Sequence, residues 1–563
     1  MNVTDRVRTA LNRIAEVDRP EVWITLRGED DLLTEAKLLE QRMAEGESLP
    51  LGGLLVAVKD NIDVAGLPTT AACPSYAYTP TASATSVQRL VDAGALVLGK
   101  TNLDQFATGL VGTRSPYGAV RHATRPDRVS GGSSSGSAVA VALGIADLAL
   151  GTDTAGSGRV PAALHGLVGL KPTLGLVPTT GVVPAVRSCD CVSVFAHTLE
   201  LGQRALALMI GPDGRDPNAR RWPTDTRLAA PPAPRIAVPS PTGLAALTPE
   251  GRSAFRAASE RLVAAGARLT EVDIAPLLAA ATLLYGGAIV AERYAAVGEF
   301  LDTEPVDADP VVSSVIRAAR ELPAHRLVRD RALLDEYRLA TERTLAGCDG
   351  LLLPTTVGHP SLAEVEADPV GTNARMGTYT NFVNLLDLAA VAVPAGEADG
   401  SPFGVTVITR AFDDQVGVDI AALLTGERPG PPLPPDRFDL VVFGAHLRGQ
   451  PLNHQLTGLG ARYVEPVRTA EEYRMVALPT DPPKPGVLRV ASGGVALPGE
   501  RWTLSPAAMG RFLTGLPAPM SLGRVGLADG SEAVGFLCDA TAAATGRDIT
   551  SFGGWLAYLA DRG

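Results

Sequence analysis

Three short segments of the chain carry residues that could perform nucleophilic chemistry. Residues 130–137 read SGGSSSGS and lead directly into the apolar run AVAVALGIA. Residues 151–159 read GTDTAGSGR, so that Ser157 follows several small residues. Upstream, Lys59 ends the apolar stretch Leu54–Val58. A serine attacks a carbonyl only when a base takes its proton, and a lysine can be that base if burial lowers its pKa.

The Ser/Gly segment allows three interpretations. A flexible linker is typical of such composition, but a linker is not expected to join directly to a helix that is too apolar to be exposed. A phosphate-binding loop would end in Gly-Lys-Ser or Gly-Lys-Thr, which this segment lacks. Residues 132–136 also match the G-x-S-x-G nucleophile elbow, which needs a downstream Asp and His, and none of the seven histidines stands out.

The second segment has the composition of an oxyanion hole. Small residues allow backbone N–H groups to converge on one point, and such donors stabilise the charge that develops on an attacked carbonyl. An ordinary glycine turn is the alternative for residues 151–158 taken alone.

Taken together, the three segments resemble the amidase signature family. In that family a strand-end lysine, a serine in a GGSS loop and a serine in a G-T-D-x-x-G-S turn form a Ser–Ser–Lys triad. The resemblance covers residues 1–425 and includes GLKPT at 169–173. It implies that Lys59 is the base, that Ser133 relays protons and that Ser157 is the nucleophile.

The same resemblance implies further features of the site. The peptide bond before Ser133 should be cis, Ser134 should support the relay, and no metal or organic cofactor is required. The oxyanion should lie against the backbone N–H groups of Thr154, Ala155, Gly156 and Ser157.

The substrate class follows from a second resemblance. Residues 103–113, LDQFATGLVGT, and the presence of a smaller C-terminal domain resemble the allophanate hydrolases, a branch of this family. The resemblance implies a small anionic amide held by Tyr285 and Arg293, with Gly109 as a backbone contact. We expect Tyr285 and Arg293 on one helix over Leu283–Val297, about 80° apart around its axis, so that both could line one pocket.

Composition limits the possible partners. The 563-residue chain has 50 Lys and Arg against 61 Asp and Glu, a net charge of −11, and no basic cluster that would attract nucleic acid or an anionic membrane. Small molecules are therefore the expected partners. Five cysteines cannot form a disulfide framework, and residues 1–18 lack the apolar region of a signal peptide, so we expect a cytoplasmic protein.

The chain is predicted to form two domains. Helical periods that alternate with short apolar runs, such as residues 54–58 and 95–98, predict an α/β fold with a largely buried sheet. The resemblance implies an amidase-signature α/β/α sandwich with a mixed sheet over residues 1–425. Residues 426–436 contain five prolines and are the predicted linker. Residues 437–563 would form a smaller α+β domain.

The C-terminal domain resembles the γ-glutamylcyclotransferase-like fold. It departs from that pattern at Gly444-Ala445-His446, where a Gly-Ser pair is expected, and at Asp539, where a catalytic glutamate is expected. Cyclotransferase activity is therefore not predicted. In allophanate hydrolases this domain is linked to decarboxylation of N-carboxycarbamate, for which His446 is the candidate here, and a role in assembly or folding is the alternative.

The expected reaction is hydrolysis of allophanate to ammonia and N-carboxycarbamate. The resemblance also implies a homodimer and a functional link to urea carboxylase or to enzymes that produce biuret in s-triazine breakdown. A biuret or other small-amide hydrolase is one alternative. A component of a complex like the amidotransferase that acts on tRNA-bound glutamate is another, and a non-catalytic scaffold is a third.

Overall fold

The computed structural model describes residues 2–562, which form two compact units. The first unit contains the residues up to Arg221 together with Ala233–Pro431. The second contains Trp222–Pro232 together with the residues from Pro432 onward. The second unit thus includes a Pro-rich segment near residue 223 that lies far in sequence from the rest of that unit. There the Leu228 N–H donates to the Gly460 carbonyl at 2.9 Å.

The first unit is built on an 11-stranded sheet. Its strands are β1 (Trp23–Leu26), β2 (Leu55–Lys59), β3 (Leu96–Thr101), β4 (Leu148–Asp153), β5 (Val168–Lys171), β6 (Cys191–Ala196), β7 (Arg235–Pro239), β8 (Arg268–Val272), β9 (Gly350–Pro354), β10 (Leu388–Ala398) and β11 (Ser401–Arg410). The spatial order is β1-β3-β2-β4-β6-β5-β10-β11-β9-β7-β8. Strand β2 runs parallel to β3 and β4, whereas β4 pairs antiparallel with β6. The predicted α/β fold with a mixed sheet is confirmed.

The α-helices of this unit connect the strands and cover the sheet. They are α1 (Val3–Val17), α2 (Glu29–Ala44), α3 (Thr85–Asp92), α4 (Ser135–Ala142), α5 (Val160–Leu164), α6 (Leu199–Met209), α7 (Pro249–Ala264), α8 (Ala275–Gly286), α9 (Ala291–Leu301), α10 (Pro310–Arg317), α11 (Ala324–Thr344), α12 (Leu362–Ala367), α13 (Gly371–Met376), α14 (Asn381–Leu385) and α15 (Asp414–Thr425).

Two parallel strands bring the predicted chemistry to one edge of the sheet. Strand β2 ends at Lys59 and its neighbour β4 ends at Asp153, where the nucleophile turn begins. Every residue of both strands is buried, as expected for strands at the centre of a sheet covered by helices. Gly151 allows the Ser/Gly segment to approach β4, because a Cβ there would lie 2.6 Å from the Ser134 hydroxyl oxygen.

The prediction of one helix over Leu283–Val297 is wrong. Helix α8 ends at Gly286, a 3₁₀ turn covers Ala288–Val290, and α9 begins at Ala291, with a bend of 42°. Gly287 has an extended backbone (φ −95°, ψ −171°). Glycine costs about 1 kcal/mol relative to alanine inside a helix, so consecutive glycines favour a break.

Within residues 2–562, no single helix is long and apolar enough to cross a membrane. Helix α8 and the stretch Ala288–Leu301 reach that length and apolar composition only as a bent pair.

The second unit contains two smaller sheets. The 5-stranded sheet has the order β13-β16-β12-β18-β17 and the 3-stranded sheet the order β15-β14-β19. The elements are β12 (Phe438–Val442), α16 (Asn453–Thr457), β13 (Arg462–Arg468), β14 (Tyr473–Leu478), β15 (Lys484–Arg489), β16 (Pro498–Leu504), α17 (Pro506–Thr514), β17 (Met520–Gly526), β18 (Glu532–Cys538), α18 (Ala540–Thr545), β19 (Arg547–Asp548) and α19 (Trp555–Arg562). This is the smaller α+β fold predicted for the C-terminal region.

Candidate active site

Lys59 lies at the end of β2 with its side chain fully buried. Its Nζ donates to the Ser133 Oγ at 2.8 Å and to the Thr152 Oγ1 at 2.8 Å. Burial lowers the pKa of this lysine to about 7, and the carboxylates of Asp104, Asp153 and Asp190 keep it from falling further. A lysine with this pKa exchanges protons near neutral pH, as a general base must.

Ser133 lies between the lysine and the remainder of the Ser/Gly segment. The Gly132–Ser133 peptide bond is cis, as the family resemblance implied. Ser134 contacts β4 instead of the lysine. Its hydroxyl donates to the Thr152 carbonyl at 3.1 Å and accepts from the Thr152 N–H at 3.3 Å. Ser134 therefore fixes the strand position from which Thr152 reaches Lys59.

The turn that carries Ser157 is organised by the carboxylate of Asp153. This carboxylate accepts from the backbone N–H groups of Gly156 at 2.8 Å and Gly158 at 3.0 Å. It also forms a fully buried ion pair with Arg159, whose Nη2 lies 2.9 Å from Oδ1. Burial alone would raise the pKa of Asp153, but Arg159, Lys171 and the hydrogen bond from the Gly158 N–H together outweigh burial, and the pKa is lowered. Asp153 therefore stays ionised and holds the turn on both sides of Ser157.

One of the four N–H groups of the expected oxyanion hole has an acceptor within the protein. The Gly156 N–H already donates to Asp153, so this donor is engaged by the protein itself. The N–H groups of Thr154, Ala155 and Ser157 have no hydrogen-bond acceptor within residues 2–562. These three donors remain from the four that the resemblance implied. Ser157 is itself 2% exposed, so a bound carbonyl would be shielded from water.

The structure brings Tyr285 and Arg293 together across the helix break. The Arg293 Nη2 donates to the Tyr285 hydroxyl at 3.2 Å, and its Cζ lies 5.2 Å from the centre of the tyrosine ring. Nη1 donates to the Thr108 Oγ1 at 2.7 Å and to the Ala107 carbonyl at 3.3 Å. Arg293 is 1% exposed, and no carboxylate of the described chain forms an ion pair with it. A buried guanidinium with neutral partners attracts an anion.

A cavity of about 660 Å³ is lined by Tyr285 of this pair. Its wall also includes the polar residues Arg114, Asn373 and Asn381 and aliphatic residues of α8 and α10. Gly109 lies in the loop behind the wall, next to Leu110, whose N–H donates to the Asn373 Oδ1 at 2.7 Å. The loop that was predicted to contact substrate is thus tied to the cavity wall.

Comparison with known proteins places the chain in a family. The sequence model described as Amidase matches residues 5–416, most of the chain. The chain belongs to the amidase family. A second model, described as Allophanate hydrolase C-terminal domain, matches residues 438–560.

The chain is similar to several individual proteins. A structure of the allophanate hydrolase of Kluyveromyces lactis is 40% identical, covers 100% of this chain and 97% of its own, and has a TM-score of 0.89. A urea amidolyase of Lachancea kluyveri is 43% identical over 95% of this chain, which spans only 31% of that relative. A glutamyl-tRNA(Gln) amidotransferase chain of Symbiobacterium thermophilum is 34% identical over 75% of this chain and 92% of its own length.

Several residues that build this site were not predicted from the sequence. Thr152 accepts a hydrogen bond from Lys59, and Thr108 accepts one from Arg293. Asn384 donates to the carbonyls of Asp153 at 2.7 Å and Cys189 at 2.8 Å. The only local signal was for Thr152, which lies inside the G-T-D segment. The others reach the site through folding of distant segments.

His446 lies in the second unit and lines a separate cavity of about 250 Å³. Its Nε2 is 2.9 Å from the Gln455 Oε1, and its ring stacks on Phe536 with centroids 4.9 Å apart. Burial lowers the pKa of this histidine. Asp539 instead caps α18 by accepting from the N–H groups of Thr541 and Ala542, so it does not replace a catalytic glutamate in this cavity.

Proposed function

We propose that this chain is an allophanate hydrolase that releases ammonia and N-carboxycarbamate by means of a Ser–Ser–Lys triad. The observation that carries the proposal is the buried Arg293 guanidinium, which has no carboxylate partner in residues 2–562 and donates to Tyr285. A neutral amide would leave this charge uncompensated, whereas the carboxylate of allophanate would neutralise it. The similarity to the Kluyveromyces lactis allophanate hydrolase over the full chain supports the same substrate.

The proposed reaction begins with neutral Lys59. Lys59 takes the proton of Ser133 across their 2.8 Å hydrogen bond, Ser133 takes the proton of Ser157, and the Ser157 Oγ attacks the terminal amide carbon. The resulting oxyanion accepts from the N–H groups of Thr154, Ala155 and Ser157.

Collapse of the adduct completes the acylation. The C–N bond breaks, a proton returns through Ser133 to the departing nitrogen, and ammonia leaves. Water then attacks the acyl-enzyme, passes its proton through the same relay and releases N-carboxycarbamate with Ser157 restored.

Substrate binding is assigned to the residues around Arg293. The guanidinium would bind the allophanate carboxylate, and Tyr285 would orient it by sharing its hydroxyl with Arg293. Gly109 would contribute a backbone contact from the loop at the cavity wall. Ser134 supports the relay indirectly, because its hydroxyl fixes Thr152 beside Lys59.

The C-terminal unit has two candidate roles. The cavity and the hydrogen-bonded His446 favour binding of the N-carboxycarbamate product and its decarboxylation, while a role in assembly is the alternative. Exchange of His446 for asparagine distinguishes them. Loss of carbon dioxide formation with unchanged ammonia release in the first step supports the decarboxylation role, and unchanged product ratios support the structural one.

We further propose how the chain is organised. Residues 1–425 would form the amidase domain, 426–436 a linker and 437–563 the C-terminal domain, assembled as a cytoplasmic homodimer. The name urea amidolyase, borne by longer relatives, supports a link to urea carboxylation, and biuret-producing s-triazine breakdown is the alternative source of substrate.

The decisive experiment measures ammonia release from freshly prepared allophanate, biuret and malonamide, with Ser157→Ala as the blank. Strong preference for allophanate that disappears in the variant is the expected result. Equal or faster turnover of malonamide would retain an amidase but reject the allophanate assignment. Glutaminase activity that requires partner chains would instead favour a role within an amidotransferase complex.

A further inference from the structure

Asp104 links two parts of the candidate site. Its backbone N–H donates to the Ser133 carbonyl at 3.1 Å, immediately after the Gly132–Ser133 bond. Its Oδ2 accepts from the Gly112 N–H at 3.0 Å and its Oδ1 from the Arg114 N–H at 3.0 Å. One residue thus connects the relay serine to the loop at the cavity wall.

Two glycines make room for this carboxylate. A Cβ on Gly132 would lie 2.0 Å from the Asp104 Oδ2, and a Cβ on Gly109 would lie 2.4 Å from the same atom. No side chain could therefore replace either hydrogen without moving Asp104. The position of the Asp104 carboxylate therefore explains why both residues are glycine, independently of any role in catalysis.

The charge on Asp104 has no partner of opposite sign in contact with it. The side chain is fully buried and forms no ion pair within residues 2–562, whereas Asp153 is paired with Arg159. Backbone N–H groups satisfy its oxygens but leave its net charge in place. In a buried environment that charge acts strongly on nearby ionisable groups.

We infer that Asp104 is a positioning residue that holds Ser133, the hydrogen-bond partner of Lys59, in the relay and places a buried carboxylate next to the Lys59–Ser133 pair. This inference rests on the proposed Ser–Ser–Lys function. Among the charged groups that act on Lys59, Asp104, Asp153 and Asp190 favour the protonated amine and Arg293 disfavours it, and Asp104 makes the largest contribution of these charges. Removal of its charge should therefore make Lys59 a weaker base that loses its proton at lower pH.

The test compares Asp104→Asn with Asp104→Glu. The first variant removes the charge at constant size, and the second keeps the charge but misplaces it by one methylene. The measurement is kcat/KM for malonamide from pH 5 to pH 9, together with the rate at which phenylmethanesulfonyl fluoride labels Ser157. Malonamide is used because the result then does not depend on whether allophanate is the substrate.

Both kcat/KM and the labelling rate should rise with pH along an acid limb as Lys59 loses its proton. In Asp104→Asn we expect the acid limb of both profiles to move down by about one pH unit. In Asp104→Glu the limb should stay within about 0.3 units of the wild-type position while kcat falls about 10-fold or more. Asp104→Ser, a smaller neutral replacement with room for water, is tested in parallel in case the asparagine variant does not fold. Its acid limb should also move down.

An unmoved acid limb in a folded neutral variant overturns the inference and leaves Asp104 as a loop anchor only. The proposed function fails in a different way. If the wild-type protein neither hydrolyses an amide nor becomes labelled at Ser157, the triad is wrong and the role of Asp104 falls with it.

Discussion

The Arg293 guanidinium donates to the Tyr285 hydroxyl at 3.2 Å, although the two residues lie on different helices. Tyr285 is in the last turn of α8, and Arg293 is in the first turn of α9. The 42° bend between the helices allows the two side chains to meet. Thr108 and Ala107 hold the other guanidinium nitrogen from the opposite side.

Arg293→Gln should impair allophanate turnover much more than neutral-amide turnover. A hydrogen bond to a charged group contributes about 1.5–3 kcal/mol, so kcat/KM for allophanate should fall about 10- to 150-fold. The loss should appear mainly in KM, because the carboxylate is bound in both the ground state and the transition state. Steady-state kinetics with malonamide provide the control, and an equal loss for both substrates would contradict the assignment.

Lys59 should give the enzyme an acid limb near neutral pH. Its pKa is lowered to about 7 by burial, so the amine is protonated and inactive as a base below that pH and neutral above it. We therefore expect kcat/KM to rise through about pH 7 and to level off above about pH 8. Lys59→Met should lower kcat/KM about 1000-fold at every pH, and so should Lys59→Arg, whose guanidinium keeps its proton. Substantial activity of either variant at pH 8 would exclude lysine as the base.

The central features of the site could be predicted because the motifs are local. Neighbouring residues determine the strand end at Lys59, the GGSS loop of Ser133 and the tight turn of Ser157. The residue types and spacing of these three segments can therefore be recognised in the sequence. The α/β fold was likewise visible in short apolar runs between helical segments.

The supporting residues could not be predicted, because their contacts exist only after folding. Arg159 donates to the carbonyl of Thr380, more than 200 positions away, and Asp104 approaches Gly132 from another loop. The helix break between Tyr285 and Arg293 was missed for a different reason. The consecutive glycines weaken a helix at this point but are compatible with a continuous one by periodicity. The hydrogen bond from the Ala288 N–H to Asp330, which accompanies the break, forms only after folding.

Arg159→Met should destabilise the protein strongly. Removal of one partner from a buried ion pair leaves the other charge uncompensated, here Asp153, and costs about 3–5 kcal/mol. Urea unfolding at pH 7.5 measures this loss, and the double variant with Asp153→Asn should recover part of it. Arg42→Met is the matched control, because Arg42 forms an exposed pair with Glu47 and its replacement should change the free energy of unfolding far less. A loss of similar size in both arginine variants would contradict the prediction.

Acid should unfold the protein by protonating a cluster of three histidines, of which His122 and His359 are buried and His165 is half-buried. The rings of His122 and His165 stack with centroids 4.2 Å apart, and His359 lies 4.9 Å from His122. Burial keeps each ring neutral, and one nitrogen of each ring faces a backbone carbonyl. For example, the His122 Nε2 faces the Leu164 carbonyl, and its Nδ1 accepts from the Arg125 N–H. A proton added at Nδ1 would meet that N–H donor, so protonation must break the local structure next to α5.

The direction of the pKa shifts of these histidines determines the pH range in which acid destabilises the protein. Burial lowers the pKa of all three histidines in the folded protein, and that of His359 falls to about 4. Among the nearby charged groups, Asp127 favours protonation, whereas three arginines oppose it: Arg19, Arg125 and Arg128. In the unfolded chain these histidines have a pKa of about 6.5. Their contribution to stability is therefore constant above that pH and is lost as the pH falls below it. His359 alone accounts for about 3 kcal/mol between pH 6.5 and pH 4. His359→Gln should flatten this dependence in urea unfolding, whereas His325→Gln, at an exposed position, should leave it as in the wild type. An equal dependence in all three proteins would show that other groups control acid unfolding.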